Sequence, residues 1–186
     1  MELDKKESEI IKGCIEGNRL SQKELYELHA RKVLGICIRY LKDVDEAQDA
    51  MQETFIKAFE KLGTFRGDCP IKGWLRRIAV NVSISKIRDR KRILREGFLS
   101  EYREENIVEE DEDLDNISTE KLLQAIHSLP EGYRTVFNLR VVDEYSHEEI
   151  ANALGIKEGT SKSQYSKAKS QLKKILLKDV SSQPVV

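Results

Sequence analysis

The sequence predicts an all-α protein of two small helical domains joined by a flexible acidic linker. Three observations lead there. Apolar residues recur at three- and four-residue spacing through both ends of the chain, with no alternating strand pattern. The 186 residues include only 3 prolines and 10 glycines, which leaves room for long helices. Between the two patterned parts, Glu96 to Glu120 carries 11 Asp/Glu against 1 Lys/Arg, a self-repelling stretch with little apolar periodicity. The expected boundaries are 8–92 for the first domain, 93–118 for the linker, 119–178 for the second domain and 179–186 for a frayed tail.

The elements follow in order. Ile10, Ile11, Cys14 and Ile15 fit one face of a short helix that Gly17-Asn18 ends. Ser21-Gln22-Lys23-Glu24 reads as a capping box opening a second helix, with Leu25, Leu28, Val33, Ile36, Tyr40 and Leu41 as its stripe. A third helix spans about 45–62, burying Ala47, Ala50, Met51, Thr54, Phe55, Ala58, Phe59 and Leu62. Thr64 to Gly73 reads as a loop, and a strongly basic fourth helix spans about Trp74 to Arg92. In the second domain, Leu122, Leu123, Ile126 and Leu129 make a helix stopped by Leu129-Pro130. Tyr133, Val136, Phe137, Leu139 and Val141 make the next. Ser146-His147-Glu148-Glu149 is a second capping box; Ile150, Ala151 and Leu154 follow, then Gly155, then a last helix over about 158–177.

Composition excludes several classes. No apolar run approaches the ~20 residues needed to cross a bilayer, and MELDKKESEI is too charged for a secretory signal. A cytoplasmic protein without membrane insertion is expected. Cys14, Cys37 and Cys69 form no CxxC pair and do not cluster with His29, His127 or His147, against a disulfide framework or structural zinc. Cys14 and Cys37 lie in apolar stripes and read as small core residues, whereas Cys69 falls in the loop. There is no phosphate-cradling GxxxxGK run and no catalytic carboxylate–histidine pattern, so neither a cofactor nor an enzyme is expected. The net charge of −1 hides an asymmetry: Met1 to Arg95 carries 21 Lys/Arg against 15 Asp/Glu, and Lys121 to Val186 carries 10 against 7. Local patches of this kind bind phosphates whatever the total.

Three surfaces stand out. In the last helix, Lys162, Ser163, Gln164, Ser166, Lys167 and Lys169 are short polar and basic side chains, with Tyr165, Ala168 and Leu172 facing inward. With the small Ala151 and the turn at Gly155, that pattern suits a helix laid in the major groove, Ser163 and Gln164 reading bases and the lysines phosphates. An ordinary helical hairpin with a solvated basic face is the alternative. On the fourth helix, Arg77, Asn81 and Arg88 fall within roughly 40° of one another at 100° per residue. Trp74, beside the glycine-containing loop, reads as a core anchor or as a platform for a stacked base, and the two roles can coexist where only one ring edge is buried. On the third helix, Glu46, Asp49, Gln52, Glu53 and Ile56 lie opposite the core face. That face is either solvated or, because Ile56 sits among acids, a protein-docking surface.

These segments together resemble extracytoplasmic-function sigma factors of the sigma-70 superfamily. Asp45 to Phe59 (DEAQDAMQETFIKAF) resembles their region 2.2; Phe65-Arg66-Gly67 with Trp74 to Asn81 (WLRRIAVN) resembles regions 2.3 and 2.4. Leu129 to Arg134 (LPEGYR) and Tyr145 to Leu172 resemble region 4. The resemblance implies a dissociable, monomeric specificity subunit of RNA polymerase. Asp49, Gln52, Glu53 and Ile56 would dock on the clamp helices of the largest core subunit. The loop with Phe65, Arg66 and Lys72, together with Trp74, Arg77, Asn81 and Arg88, would open the promoter's −10 element. Lys162, Ser163, Ser166 and Lys167 would read the −35 duplex. The linker would thread the polymerase's active-site and RNA-exit channel, and an anti-sigma partner would mask these surfaces. Four residues depart from the family's usual pattern: Ser85 for Asp, Ser161 for Val, and Gln164 and Lys169 for Arg. Lysine in place of arginine gives up bidentate recognition of guanine. A free-standing, dimeric helix-turn-helix regulator is the rival reading; it explains only the C-terminal part.

Overall fold

The computed structural model describes the backbone of residues 5–97 and 119–180, and the side chains of residues 6–90 and 120–177. Every regular element among them is helical. The chain divides into two compact units, Met1–Lys91 and Arg92–Val186.

The first unit holds α1 (Lys5–Ile15), α2 (Arg19–Tyr40), α3 (Val44–Lys61) and, as far as Lys91, α4 (Ile71–Gly97). Gly17 ends α1 with φ at +80°, a conformation that favours glycine. The start of α2 differs from expectation. Its cap is Asn18, whose Oδ1 accepts from the N–H groups of Leu20 (2.9 Å) and Ser21 (3.2 Å). Ser21 instead packs against Gly13, where a Cβ would collide with its hydroxyl. The buried stripe of α2 also differs: it runs Leu25, His29, Val33, Cys37, Tyr40. Leu28 (51% exposed) lies outside it, as does Ile15 of α1 (52%). Four-residue steps from Leu25 pass through an imidazole and a thiol, which a search for large aliphatics misses.

Asp43 caps α3 by accepting from the Glu46 N–H at 2.8 Å. The buried face of α3 is the expected one, although Phe59 is only half-buried. Three fully buried alanines, Ala47, Ala50 and Ala58, let α3 lie close on α2. α4 begins three residues earlier than expected, because the Pro70 carbonyl accepts from Gly73 N–H (2.9 Å) and Trp74 N–H (3.2 Å). It also continues past Arg92 to Gly97. The rest of the expected linker, 98–118, and the tail 181–186 lie outside the described residues. Ile71, Leu75, Ala79, Val82 and Ile87 seat α4 in the core. Leu75→Ala there would cost about 2–5 kcal/mol. Cys37 is buried as expected, beside the hydroxyls of Thr54 and Ser83, and burial pushes its thiol pKa up. Those hydroxyls donate to the carbonyls of Ala50 (2.7 Å) and Ala79 (2.8 Å).

The second unit holds α5 (Thr119–Ser128), α6 (Glu131–Phe137), α7 (His147–Leu154) and α8 (Glu158–Val180). Its core joins Ala125, Ile126 and Leu129 to Ala168, Leu172 and Leu176. Leu122 (40% exposed) and Leu123 (51%) were expected inside and lie outside, since burial on α5 is confined to its C-terminal half. After α6 the helix widens into a π turn, Asn138–Val142, closed by Asp143 N–H on Asn138 O at 3.0 Å. The second capping box forms as expected: Ser146 Oγ accepts from Glu149 N–H (3.1 Å), and Glu149 Oε2 accepts from Ser146 N–H (2.7 Å). Gly155 then takes φ of +65° while its own N–H bonds Ala151 O, turning the chain sharply into α8.

Candidate functional site

The outer face of α3 splits in two. Toward α4 the acids are paired within the molecule. Glu46 Oε2 accepts from Arg90 Nη1 at 2.8 Å, while Glu53 meets Lys57 Nζ at 2.6 Å and Lys86 Nζ at 3.7 Å. Asp49 and Gln52 are exposed, and Ile56 is 58% exposed. Of the four expected docking residues, Glu53 is therefore the one engaged in ion pairs among the described residues.

On α4, Arg77, Asn81 and Arg88 are all exposed, between the buried positions Ala79, Val80, Val82 and Ile87. One helical face thus presents two guanidinium groups and an amide. The preceding loop is turned by Gly67, with φ at +75°. Arg66 and Lys72 are exposed on either side of its bend. Phe65 and Trp74 meet with ring centroids 5.4 Å apart and planes tilted by 53°, each ring half-buried. Trp74 is thus both packed and partly accessible, the arrangement in which the two roles read from sequence can coexist.

On α8, Lys162 is exposed and its Nζ lies 2.8 Å from Glu158 Oε1. That hydrogen bond holds the Glu158 carboxyl below the usual carboxylate range. Ser163 is exposed, its hydroxyl donating to Thr160 O at 3.1 Å; Ser166 and Lys167 are half-buried. Gln164, read from sequence as a base reader, is half-buried, and its amide oxygen lies 3.3 Å from where a Gly132 side chain would begin. Lys169 places Nζ 5.3 Å above the Tyr165 ring.

Beneath this surface lies a lock that sequence reading missed. His147 Nδ1 lies 2.9 Å from the Oγ of fully buried Ser161, which ties the first turn of α7 to α8. Tyr165 stacks on Phe137 (6.2 Å, 24°) and takes the edge of His147 (5.6 Å, 61°). Burial, then Arg140 and Lys162, push the His147 pKa down. Arg134 is also interior, 2% exposed, with Nη1 donating to Leu129 O at 3.0 Å. Serine at 161, on the inward side of an otherwise polar helix, was the one available clue.

Among the described residues no group of three His, Cys, Asp or Glu could hold a metal ion, and no helix is long and apolar enough to cross a membrane.

The profile of the family described as Sigma-70 region 2 matches residues 25–93, and that of Sigma-70, region 4 matches 119–172. RNA polymerase sigma-H factor of Pseudomonas aeruginosa is 34% identical over 80% of this chain and 82% of its own length. ECF RNA polymerase sigma factor SigW of Bacillus subtilis is 30% identical over 89% and 94%. Among solved structures, the sigma factor RpoE from Bartonella quintana, crystallised with the anti-sigma factor NepR, is 25% identical. It superposes with a TM-score of 0.49, covering 83% of this chain and 95% of that one. With both region profiles in order and two relatives matched along 82% and 94% of their length, the chain belongs to the extracytoplasmic-function group of sigma-70 family RNA polymerase sigma factors.

Proposed function

We propose that this sigma factor grips core RNA polymerase through Asp49, Gln52, Glu53 and Ile56, seated on the clamp helices of the largest subunit. Membership of the family makes the chain a promoter-directing subunit of transcription initiation, in a family that is not catalytic, and it displaces the free-standing dimeric regulator. The observation that carries the docking reading is Ile56, 58% exposed on a helix face otherwise lined by Asp49 and Gln52. An apolar anchor inside a polar rim is the anatomy of an interface.

In the same reading, Phe65, Arg66, Lys72, Trp74, Arg77, Asn81 and Arg88 engage the −10 element. Extruding a base costs a few kcal/mol, and stacking on an aromatic ring returns about 1–3 kcal/mol. The half-buried Phe65–Trp74 pair supports a stacking role, and the exposed Asn81 amide supports a base contact. Lys162, Ser163, Ser166 and Lys167 engage the −35 duplex, with Ser163 at a base edge and the lysines at phosphates. The chain acts as a cytoplasmic monomer, and an anti-sigma partner covering the Ile56 face controls it.

Ile56→Asp tests the docking. Association with purified core polymerase should weaken at least tenfold while thermal stability stays unchanged. Unaltered association would remove the reading.

A further inference from the structure

His147, the first residue of α7, touches α8 on two successive turns. Its Nδ1 lies 2.9 Å from Ser161 Oγ, and its ring meets that of Tyr165 edge-on with centroids 5.6 Å apart. Tyr165 is held further by Phe137 of α6, 6.2 Å between centroids, and by Lys169 Nζ, 5.3 Å from its ring centre. Ser161, Tyr165 and Lys169 are four residues apart, so they follow one stripe of the helix. Contacts on successive turns fix the roll of a helix about its axis, where a single contact fixes only its distance. That roll sets what lies beside the stripe. Lys162 and Ser163 come one and two positions after Ser161, and Ser166 and Lys167 one and two positions after Tyr165. An anchored stripe thus flanks all four residues proposed to meet the −35 duplex.

The Ser161 contact is the polar one. Among the described buried residues of α8, Ala168, Leu172 and Leu176 are apolar, and Ser161 carries a hydroxyl at 0% exposure. A buried hydroxyl proton needs an acceptor, and its partner among the described residues is His147 Nδ1. The imidazole therefore accepts there and keeps its own proton on Nε2, which requires a neutral ring. Protonation places N–H groups at both positions. Oγ can then accept from Nδ1, but its own proton is left in an enclosed site without an acceptor. The surroundings act in the same direction. Burial opposes the imidazolium, Arg140 from the π turn and Lys162 from α8 repel it, and Tyr165 faces it through the ring contact. Glu158 attracts it, yet that carboxylate is hydrogen-bonded to Lys162 at 2.8 Å.

We infer that His147 and Ser161 are a positioning pair for promoter recognition: with the imidazole neutral, their hydrogen bond holds α8 at the roll that presents Lys162 and Ser163 to the −35 duplex. Acid opens the pair and lowers affinity for that duplex. The inference rests on the −35 role of α8 proposed above. Valine, the family's usual residue at 161, could not form this bond, so the pair belongs to this chain. Its sign separates it from a phosphate contact, because an imidazolium that met phosphate would strengthen binding in acid.

Holoenzyme reconstituted with purified core polymerase is titrated with fluorescent −35 duplex between pH 7.5 and pH 5.5. Wild type should lose about fivefold in affinity as His147 protonates, the worth of one net hydrogen bond. His147→Gln supplies an amide oxygen that does not titrate; it should match wild type at the upper pH and keep that affinity in acid. Ser161→Val should bind about fivefold more weakly throughout. Circular dichroism checks the fold, and if Ser161→Val is unfolded the wild-type and His147→Gln profiles still decide. In the free full-length chain, the ring-nitrogen resonances of His147, assigned by their loss in His147→Gln, should place the neutral ring's proton on Nε2. Affinity that rises in acid, a neutral ring protonated on Nδ1, or one pH profile shared by wild type and both variants overturns the inference. If Lys162→Ala also leaves binding unchanged, the −35 role falls with it. If Lys162→Ala weakens binding while both variants of the pair match wild type, the pairing alone falls.

Discussion

Arg90 reaches across 44 positions of sequence to donate a hydrogen bond to Glu46, Nη1 to Oε2 at 2.8 Å. The pair pins the first turn of α3 to the far part of α4, beyond the last buried residue of that helix's described core, Ile87. It is partly exposed (side chains 38% and 26%), so solvent screens it. Glu46→Gln should lower the stability of the first unit by about 0.5–1 kcal/mol. A double-mutant cycle with Arg90→Gln, followed by urea unfolding, should return a coupling energy of that size.

Glu53 differs from its neighbours in having two internal cations. Glu53→Lys puts a third positive charge against Lys57 and Lys86 and should cost about 1 kcal/mol of stability besides abolishing polymerase binding. Thermal melts beside core-binding assays check this. The contrast is with Ile56→Asp, where binding falls and the melting temperature does not.

His29 makes the first unit sensitive to acid. Burial favours its neutral ring and, with Lys32, outweighs Glu7, so the folded pKa lies below the ordinary 6.5. The unfolded chain then binds more protons as pH drops through 6.5, and stability falls in that direction. His29→Leu should flatten the dependence between pH 7.5 and pH 5.5 in urea titrations. At neutral pH both proteins should unfold within about 1 kcal/mol of each other, because the exchange trades one buried ring for a similar apolar volume.

Lys162 is held by Glu158 on the surface proposed to meet the −35 element. Lys162→Ala should weaken binding of holoenzyme to −35 duplex and reduce the slope of log affinity against log salt by roughly 1. Glu158→Gln should act oppositely, strengthening binding by releasing the ammonium and removing a charge that repels phosphate. Filter binding across a salt series separates the two.

Helix identity and order were legible because apolar periodicity is dense. The third helix, the capping box at Ser146 and the turn at Gly155 stood out in the sequence itself. The α2 stripe was misread at Leu28 because two of its buried positions are histidine and cysteine, residues that periodicity scales treat as indifferent. The α4 start was misplaced because Gly73 reads as a loop residue until Pro70 is seen to open the helix. As for the surfaces, Arg77, Asn81 and Arg88 were placed together by angle alone, and the structure leaves all three exposed. The Glu46–Arg90 and His147–Ser161 contacts were not legible. They depend on how two helices cross, which one-dimensional spacing does not encode.

The 27 unbroken residues of α4 make it a ruler about 40 Å long. From Arg77 to Arg88 is eleven positions, about 16 Å along the axis and only about 20° around it. Because the same rod is bolted to the core by Ile71, Leu75 and Ile87, its graduations cannot slide. Deleting one residue between Asn81 and Arg88 would swing the distal guanidinium about 100° away from the other marks. Lengths in that stretch can therefore change only by whole numbers of turns, whatever freedom the individual side chains enjoy.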